Sequence, residues 1–171
     1  MIRLIKNTDY ISIMEVYNYY VTNSFYTFSN MPMTENEAKI LVEYGLKIAG
    51  FIVTVNSKTM GFGIAYPYRE ESAFRSTIKL TYFLNPEYVG KGIGSQLYLK
   101  LYKKLKSKGY KNILVNISSL NKPSLKFHKK LGFLNCGTFK DIGILDTNKI
   151  SVIKKKKKIW KKYRKLLTIL F

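Results

Sequence analysis

Between Leu84 and a strongly amphipathic stretch the chain runs Asn85-Pro86-Glu87-Tyr88-Val89-Gly90-Lys91-Gly92-Ile93-Gly94. This turn constrains the fold more than any other segment. Thr77 to Leu84 reads as a strand that Asn85-Pro86 terminates, and beyond the turn Ile93, Leu97, Leu101 and Leu105 fall on one helical face. A strand that ends in glycines at a helix N-terminus gathers unpaired N–H groups and the positive end of the helix dipole at one point. Glycine permits positive φ and lets an anion approach the backbone closely. The segment is therefore expected to hold a phosphate or pyrophosphate. Two phosphate loops are set aside: Lys91 is followed by Gly92 rather than Ser or Thr, and Ser95 stands where a dinucleotide fingerprint needs Gly or Ala.

The flanking pattern predicts an α/β domain. Ile2 to Ile5 alternates as a short strand, and a helix starts near Asp9 with Ile13, Val16, Tyr17 and Tyr20 on one face. Thr34-Glu35-Asn36-Glu37 reads as a capping box for a second helix that Gly50 ends. Phe51 to Val55 and Met60 to Tyr66 form a hairpin through Asn56-Ser57-Lys58. After the glycine helix, which Lys108-Gly109 closes, come a strand at Asn112 to Ile117, a helix from Asn121 with Pro123 in its first turn, and a strand at Phe133 to Phe139. Strand–helix–strand units in the second half imply parallel pairing, and the hairpin implies antiparallel pairing before it.

Composition narrows the class. At 171 residues, 46% apolar and 15% aromatic, the chain is sized for one folded domain. Its one cysteine, Cys136, cannot close an internal disulfide, and neither a signal-peptide core nor a transmembrane run is legible, so a cytoplasmic location is expected. The formal charge is +20, and residues 154–165 hold nine of the bases and no acid. That run is read as a basic tail, 154–171, following a domain at 1–153. With Ile159, Trp160, Tyr163, Leu166 and Leu167 it could make an amphipathic helix that touches nucleic acid or anionic lipid; solvated lysines are the plainer alternative.

Val89-Gly90-Lys91-Gly92-Ile93-Gly94 resembles the acetyl-CoA pyrophosphate loop of GNAT N-acetyltransferases, Arg/Gln-x-x-Gly-x-Gly/Ala, with Val89 in place of the Arg or Gln. About 30 residues on, Asn121-Lys122-Pro123-Ser124 leading to Leu131-Gly132-Phe133 resembles the family's Asn-x-x-Ser/Ala helix ending in Leu-Gly-Phe. The likeness covers roughly residues 1–143 and is greatest to the phosphinothricin and methionine sulfoximine acetyltransferase subfamily. It implies a mixed, mostly antiparallel sheet splayed between its fourth and fifth strands, with helices on both faces. It also implies acetyl-CoA as co-substrate, a small-molecule amine as acceptor, and a homodimer as an open arrangement.

The same resemblance distributes roles. The turn residues Val89 to Gly94, with Asn121 and Ser124, would hold the CoA moiety, and a backbone N–H of Phe83 or Leu84 would stabilise the developing oxyanion. Asn121 also reads as an N-cap, and both roles can coexist. His128, the sole histidine, stands where a tyrosine commonly protonates the departing thiolate; alternatively it packs beside the core. Tyr20, Phe28, Tyr68, Arg75 and Lys79 flank the expected acceptor mouth. Lys79 replaces a glutamate of the subfamily, which leaves the general base unassigned. Two classes stand: an amine acetyltransferase, or a GNAT-fold binding protein with weakened catalysis whose basic tail contacts nucleic acid or anionic lipid.

Overall fold

The computed structural model describes residues 1–159. In chain order the elements are β1 (Ile2–Leu4), α1 (Tyr10–Asn23), α2 (Glu35–Lys47), β2 (Ala49–Val55), β3 (Lys58–Pro67), β4 (Thr77–Leu84), α3 (Ile93–Ser107), β5 (Asn112–Ser118), α4 (Lys122–Lys130), β6 (Leu134–Leu145) and β7 (Asn148–Lys158). The strands form one sheet ordered β1-β2-β3-β4-β5-β7-β6, in which β4–β5 is the parallel pair and all other neighbours are antiparallel.

Local chemistry accounts for most boundaries. Thr34 Oγ1 accepts the Glu37 N–H at 3.3 Å while the Glu37 carboxylate accepts the Thr34 N–H at 2.8 Å, so the capping box forms as read. Asn56 and Ser57 take positive φ (46° and 63°), the geometry that joins twisted antiparallel strands through two residues. Asp9 does not cap α1 with its side chain. Its carboxylate instead accepts both Arg3 guanidinium nitrogens (2.7 and 2.8 Å) and the Lys6 N–H (2.7 Å), tying β1 to the helix start.

Helices cover both faces. Phe62 and Ile64 of β3 pack with Ile13 and Val16 of α1 and Val42 of α2. On the opposite face Leu97, Leu101 and Leu105 of α3 pack on Ala65, Ile78, Leu80 and Ile113. The second contact is close because Gly63 lies under α3: a Cβ there would sit 2.8 Å from Leu101 and 3.2 Å from Leu97.

The C-terminal strand corrects the expected domain limit. Lys154 to Lys158 belong to β7, where they pair with Asn116 to Asn112 of β5, rather than to a tail beginning at 154. A run of five lysines carries no period-two alternation, so its face preference is invisible in sequence. In the fold their stems are held: Lys155 is buried with Nζ 2.7 Å from Asn135 Oδ1, and Lys157 lies among Tyr98, Tyr102 and Phe133 and donates to the Leu131 carbonyl. The insertion of β7 also separates β5 from β6, so the expected parallel neighbours in the second half reduce to β4–β5. The helix proposed from Trp160 onward lies outside the described residues.

Candidate active site

The glycine turn forms as its residues require. Asn85 Oδ1 accepts the Glu87 N–H at 3.0 Å and Pro86 opens a short 3-10 turn, after which Gly90 (φ +82°) and Gly92 (φ +80°) take left-handed conformations. A Cβ at either would meet nothing within 4 Å, so glycine is needed there for its backbone freedom, not for space. At Gly94 neither reason applies: a Cβ would lie 3.4 Å from Phe127 and 3.6 Å from Leu84, ordinary contact distances. The Ser95 and Gln96 N–H groups close onto the Gly92 carbonyl (3.1 and 3.2 Å), whereas those of Gly90 to Gly94 have no acceptor among the described residues. These free donors at the positive end of α3 suit a pyrophosphate. Val89 is half exposed and offers no donor from its side chain; Lys91 is exposed, with its ammonium 5.3 Å above Tyr88.

Next to the turn the sheet opens. β4 and β5 pair only from Thr77–Asn112 to Lys79–Leu114, although β4 runs on to Leu84 and β5 to Ser118. The backbone direction of each β4 residue follows from its pairing with β3. Tyr68 N–H bonds to Thr77 C=O (3.3 Å) and Asn85 N–H to Met60 C=O (2.7 Å), with no register shift between them. Antiparallel alternation then aims Thr77, Lys79, Thr81 and Phe83 at β3, and Leu80, Tyr82 and Leu84 at the β5 side. The gap is thus lined by the N–H groups of Tyr82 and Leu84, while the Phe83 N–H expected there is directed to β3. Leu84 C=O accepts the Tyr20 hydroxyl at 2.5 Å. An extended pantetheine arm could take up the free groups as an added strand does.

His128 sits beneath this opening and is only 3% exposed. Its Nδ1–H donates to the Ser124 carbonyl at 2.7 Å, with Ser124 Oγ 3.2 Å away, so Nε2 accepts a hydrogen bond from the Tyr82 hydroxyl. The rings of Tyr82 and His128 stack at 5.5 Å, flanked by Phe127 and Phe133. Burial pulls the His128 pKa down to about 4, the Ser124 bond opposes this, and nearby Lys155 adds to it. The imidazole is neutral near pH 7. Burial raises the Tyr82 hydroxyl well above the usual tyrosine value. Asn121 caps α4, its Oδ1 accepting the Ser124 N–H at 3.0 Å, which leaves its amide N–H₂ available to a ligand.

Sheet alternation places Lys79, Thr81 and Phe83 on the opposite face, with Tyr17 and Tyr20 against Phe83. A groove of about 300 Å³ opens beyond them, lined by Phe28, Asn116, Ile144, Ile150 and Val152 among others. Tyr20 is buried against Phe83 and does not line the groove, and Lys79 places its ammonium 5.7 Å above Tyr66. Tyr68 and Arg75 adjoin the start of β4, at the end away from the turn, so the structure does not bring them to the opening. A larger hollow of about 520 Å³ involves Met1, Arg3 and residues 54–57 at the β1 edge, where no catalytic group gathers. Sequence reasoning missed Tyr82 and Asn116. Tyr82 was legible only as one more apolar position of β4; its value comes from facing the sole histidine.

The family model of the GNAT acetyltransferases matches residues 13–133. The chain belongs to the GNAT family and is an acetyl-CoA-dependent N-acetyltransferase by that membership. It is 27% identical over 138 residues to a phosphinothricin N-acetyltransferase of Streptomyces coelicolor, covering 77% of this chain and 80% of the relative. It is 27% identical over 147 residues to the L-amino acid N-acyltransferase MnaT of Escherichia coli, covering 83% and 84%. Its fold matches the acetyltransferase yncA of Salmonella typhimurium, solved with its cofactor acetyl-CoA, at a TM-score of 0.86, 20% identity and 94% coverage of both chains. No helix among the described residues is long and apolar enough to cross a membrane.

Proposed function

We propose that this chain acetylates the primary amine of a small, amino-acid-like molecule in the cytoplasm, by direct attack of the amine on the thioester of acetyl-CoA. The observation that carries the reading is the β4–β5 opening, which runs from the free N–H groups of the glycine turn to Tyr82 and Leu84 and has a groove on its other face. The relatives named for phosphinothricin and L-amino acids support the acceptor class.

Acetyl-CoA, when bound, supplies an activated acyl group at its thioester. The turn from Gly90 to Gly94 holds the pyrophosphate through its N–H groups, with Lys91 adding charge and Ile93 and Val89 shaping the rim. Asn121 donates its amide to the CoA arm while Ser124 fixes the His128 tautomer. The Leu84 N–H is the donor for an oxygen that gains negative charge in the gap. The Tyr82–His128 pair would hold a proton beside the β4–β5 opening, available to a departing thiolate. His128 thus acts through Tyr82. Lys79, with an amine in place of the subfamily's carboxylate, does not supply that carboxylate base, so the attacking amine loses its proton to water.

The test is titration with acetyl-CoA followed by thiol release across amino acids, polyamines and aminoglycosides. Saturable binding with release that depends on an amino acid supports the reading. Absence of acetyl-CoA binding sinks it.

A further inference from the structure

The face of the sheet that carries Lys79 and the groove also carries a row of lysines. Lys79 pairs with Leu114 across β4–β5, and Leu114 pairs with Lys156 across β5–β7. Paired residues project to the same face, so the three stand in one line about 10 Å from end to end at the backbone. Asn116, which lines the groove, pairs with Lys154; Val152, which also lines it, precedes Lys154 by two residues on the same face. Lys154 therefore borders the groove, and Lys156 follows it.

No carboxylate balances this row from its own strands: β4, β5 and β7 contain neither Asp nor Glu. On the adjoining hairpin Asp141 is held by the Ser151 hydroxyl at 3.1 Å, and Asp146 lies in the turn between β6 and β7. The Lys79 ammonium lies over Tyr66 and that of Lys154 over Phe139 at 3.9 Å; among the described residues neither has an ion pair, and the Lys156 side chain has no hydrogen bond or ion pair. Lysine stems do pack along apolar surface with their heads in water. That accounts for the half-buried stems; the lack of strand acids, which strand propensity favours in any case, leaves Lys154 and Lys156 without a carboxylate on their own strands beside the groove.

We propose that the acceptor is a small primary amine bearing a phosphomonoester, which Lys154 and Lys156 hold beside the groove while Lys79, turned toward Tyr66, adds positive charge from β4. The proposal rests on the acetyl-transfer reading above. A phosphomonoester carries a charge of about −1.5 to −2 near pH 7 and three strong acceptor oxygens, a match for several ammonium groups that one carboxylate would leave partly unpaired. The phosphate is a handle only. The amine nitrogen bonds to the acetyl carbon, the carbon–sulfur bond breaks, sulfur keeps the electron pair and takes a proton, and the nitrogen gives one up.

Thiol release from acetyl-CoA by the full chain, with O-phosphoserine, serine and putrescine as acceptors at low salt, tests this. The expected ratio of kcat/KM for O-phosphoserine over serine is about tenfold or more, and it falls roughly tenfold through KM in Lys154→Gln and in Lys156→Gln, each shown folded by its melting curve. Lys103→Gln, on the solvent side of α3, is the control that keeps the ratio. A ratio of one or less, or one that survives all of Lys79→Gln, Lys154→Gln and Lys156→Gln, overturns the proposal. Turnover of serine or putrescine without O-phosphoserine overturns it and leaves acetyl transfer standing. Binding of acetyl-CoA without release to any amine overturns both.

Discussion

The Tyr82 hydroxyl donates to Nε2 of His128, while the other imidazole nitrogen donates to the carbonyl of Ser124 one helical turn earlier. The pair links β4, at the edge of the open gap, to α4 beneath it. An imidazole with both nitrogens engaged and almost no exposure cannot meet a thiolate directly, so the hydroxyl of Tyr82 is the group that presents the proton. Tyr82→Phe and His128→Phe are both expected to lower kcat by about ten- to a hundredfold while acetyl-CoA affinity stays within about twofold. Pre-steady-state thiol release and calorimetric titration read the two quantities separately. A His128→Phe enzyme as fast as the parent would remove the pair from the mechanism.

Stability should depend on pH through the same histidine. The folded chain depresses its pKa to about 4, mainly by burial, against about 6.5 when unfolded. The unfolded state therefore binds the extra proton first as pH falls. The contribution is complete above pH 6.5 and is lost progressively down to pH 4, on the order of 3 kcal/mol in all. Asp9 acts lower: burial raises its pKa, but its bonds to Arg3 and to the Lys6 N–H outweigh that and hold it below the usual carboxylate range. Urea melts of the parent and of His128→Gln should diverge in slope between pH 4 and 6.5. Parallel curves would show that His128 does not titrate as its burial demands.

Much of this was readable from the chain because the signals are local. The capping box at Thr34, the hairpin at Asn56-Ser57 and the turn at Gly90 to Gly94 each depend on neighbours in sequence, and each formed where the residues placed it. The β4–β5 opening came through family resemblance, since no residue pattern announces where two strands stop pairing. What stayed hidden is long-range. Tyr82 and His128 are 46 residues apart, and nothing in either neighbourhood indicates that they meet. Lys154 to Lys158 looked like a tail because strand propensity disfavours lysine and a uniform run has no period. Pairing with β5 on one side and β6 on the other overrides both.

Gly92 tests the turn. It is the N-cap of α3 at φ +80° and ψ −10°, where an L side chain is strained by roughly 1 kcal/mol although the space around its Cβ is empty. Gly92→Ala should therefore lower stability by about that amount. Shifting the turn should also misdirect the N–H groups of residues 90–94 and weaken acetyl-CoA binding by roughly tenfold. Gly109→Ala has the same sign of φ (+82°) and equally empty surroundings at the far end of α3, so it should show the stability loss alone. Equal affinities for both variants and the parent would mean that the pyrophosphate sits elsewhere.

Lys157 separates a structural lysine from the solvated kind. Its ammonium lies 5.5 Å from the Tyr98 ring centre, 5.8 Å from Tyr102 and 6.0 Å from Phe133, and it donates to the Leu131 carbonyl just past α4. A cation there faces three π-systems and the negative end of a helix. Lys157→Ala removes stem packing, ring contacts and the donor together and should lower stability by about 1–3 kcal/mol. Lys157→Met keeps most of the stem but loses the donor and the charge, so it should recover part of that loss and no more. Thermal melts of the two variants against the parent decide the matter. Full stability in Lys157→Ala would mean that the aromatic surroundings exert no hold on β7, and full recovery in Lys157→Met would reduce the lysine to its hydrocarbon stem.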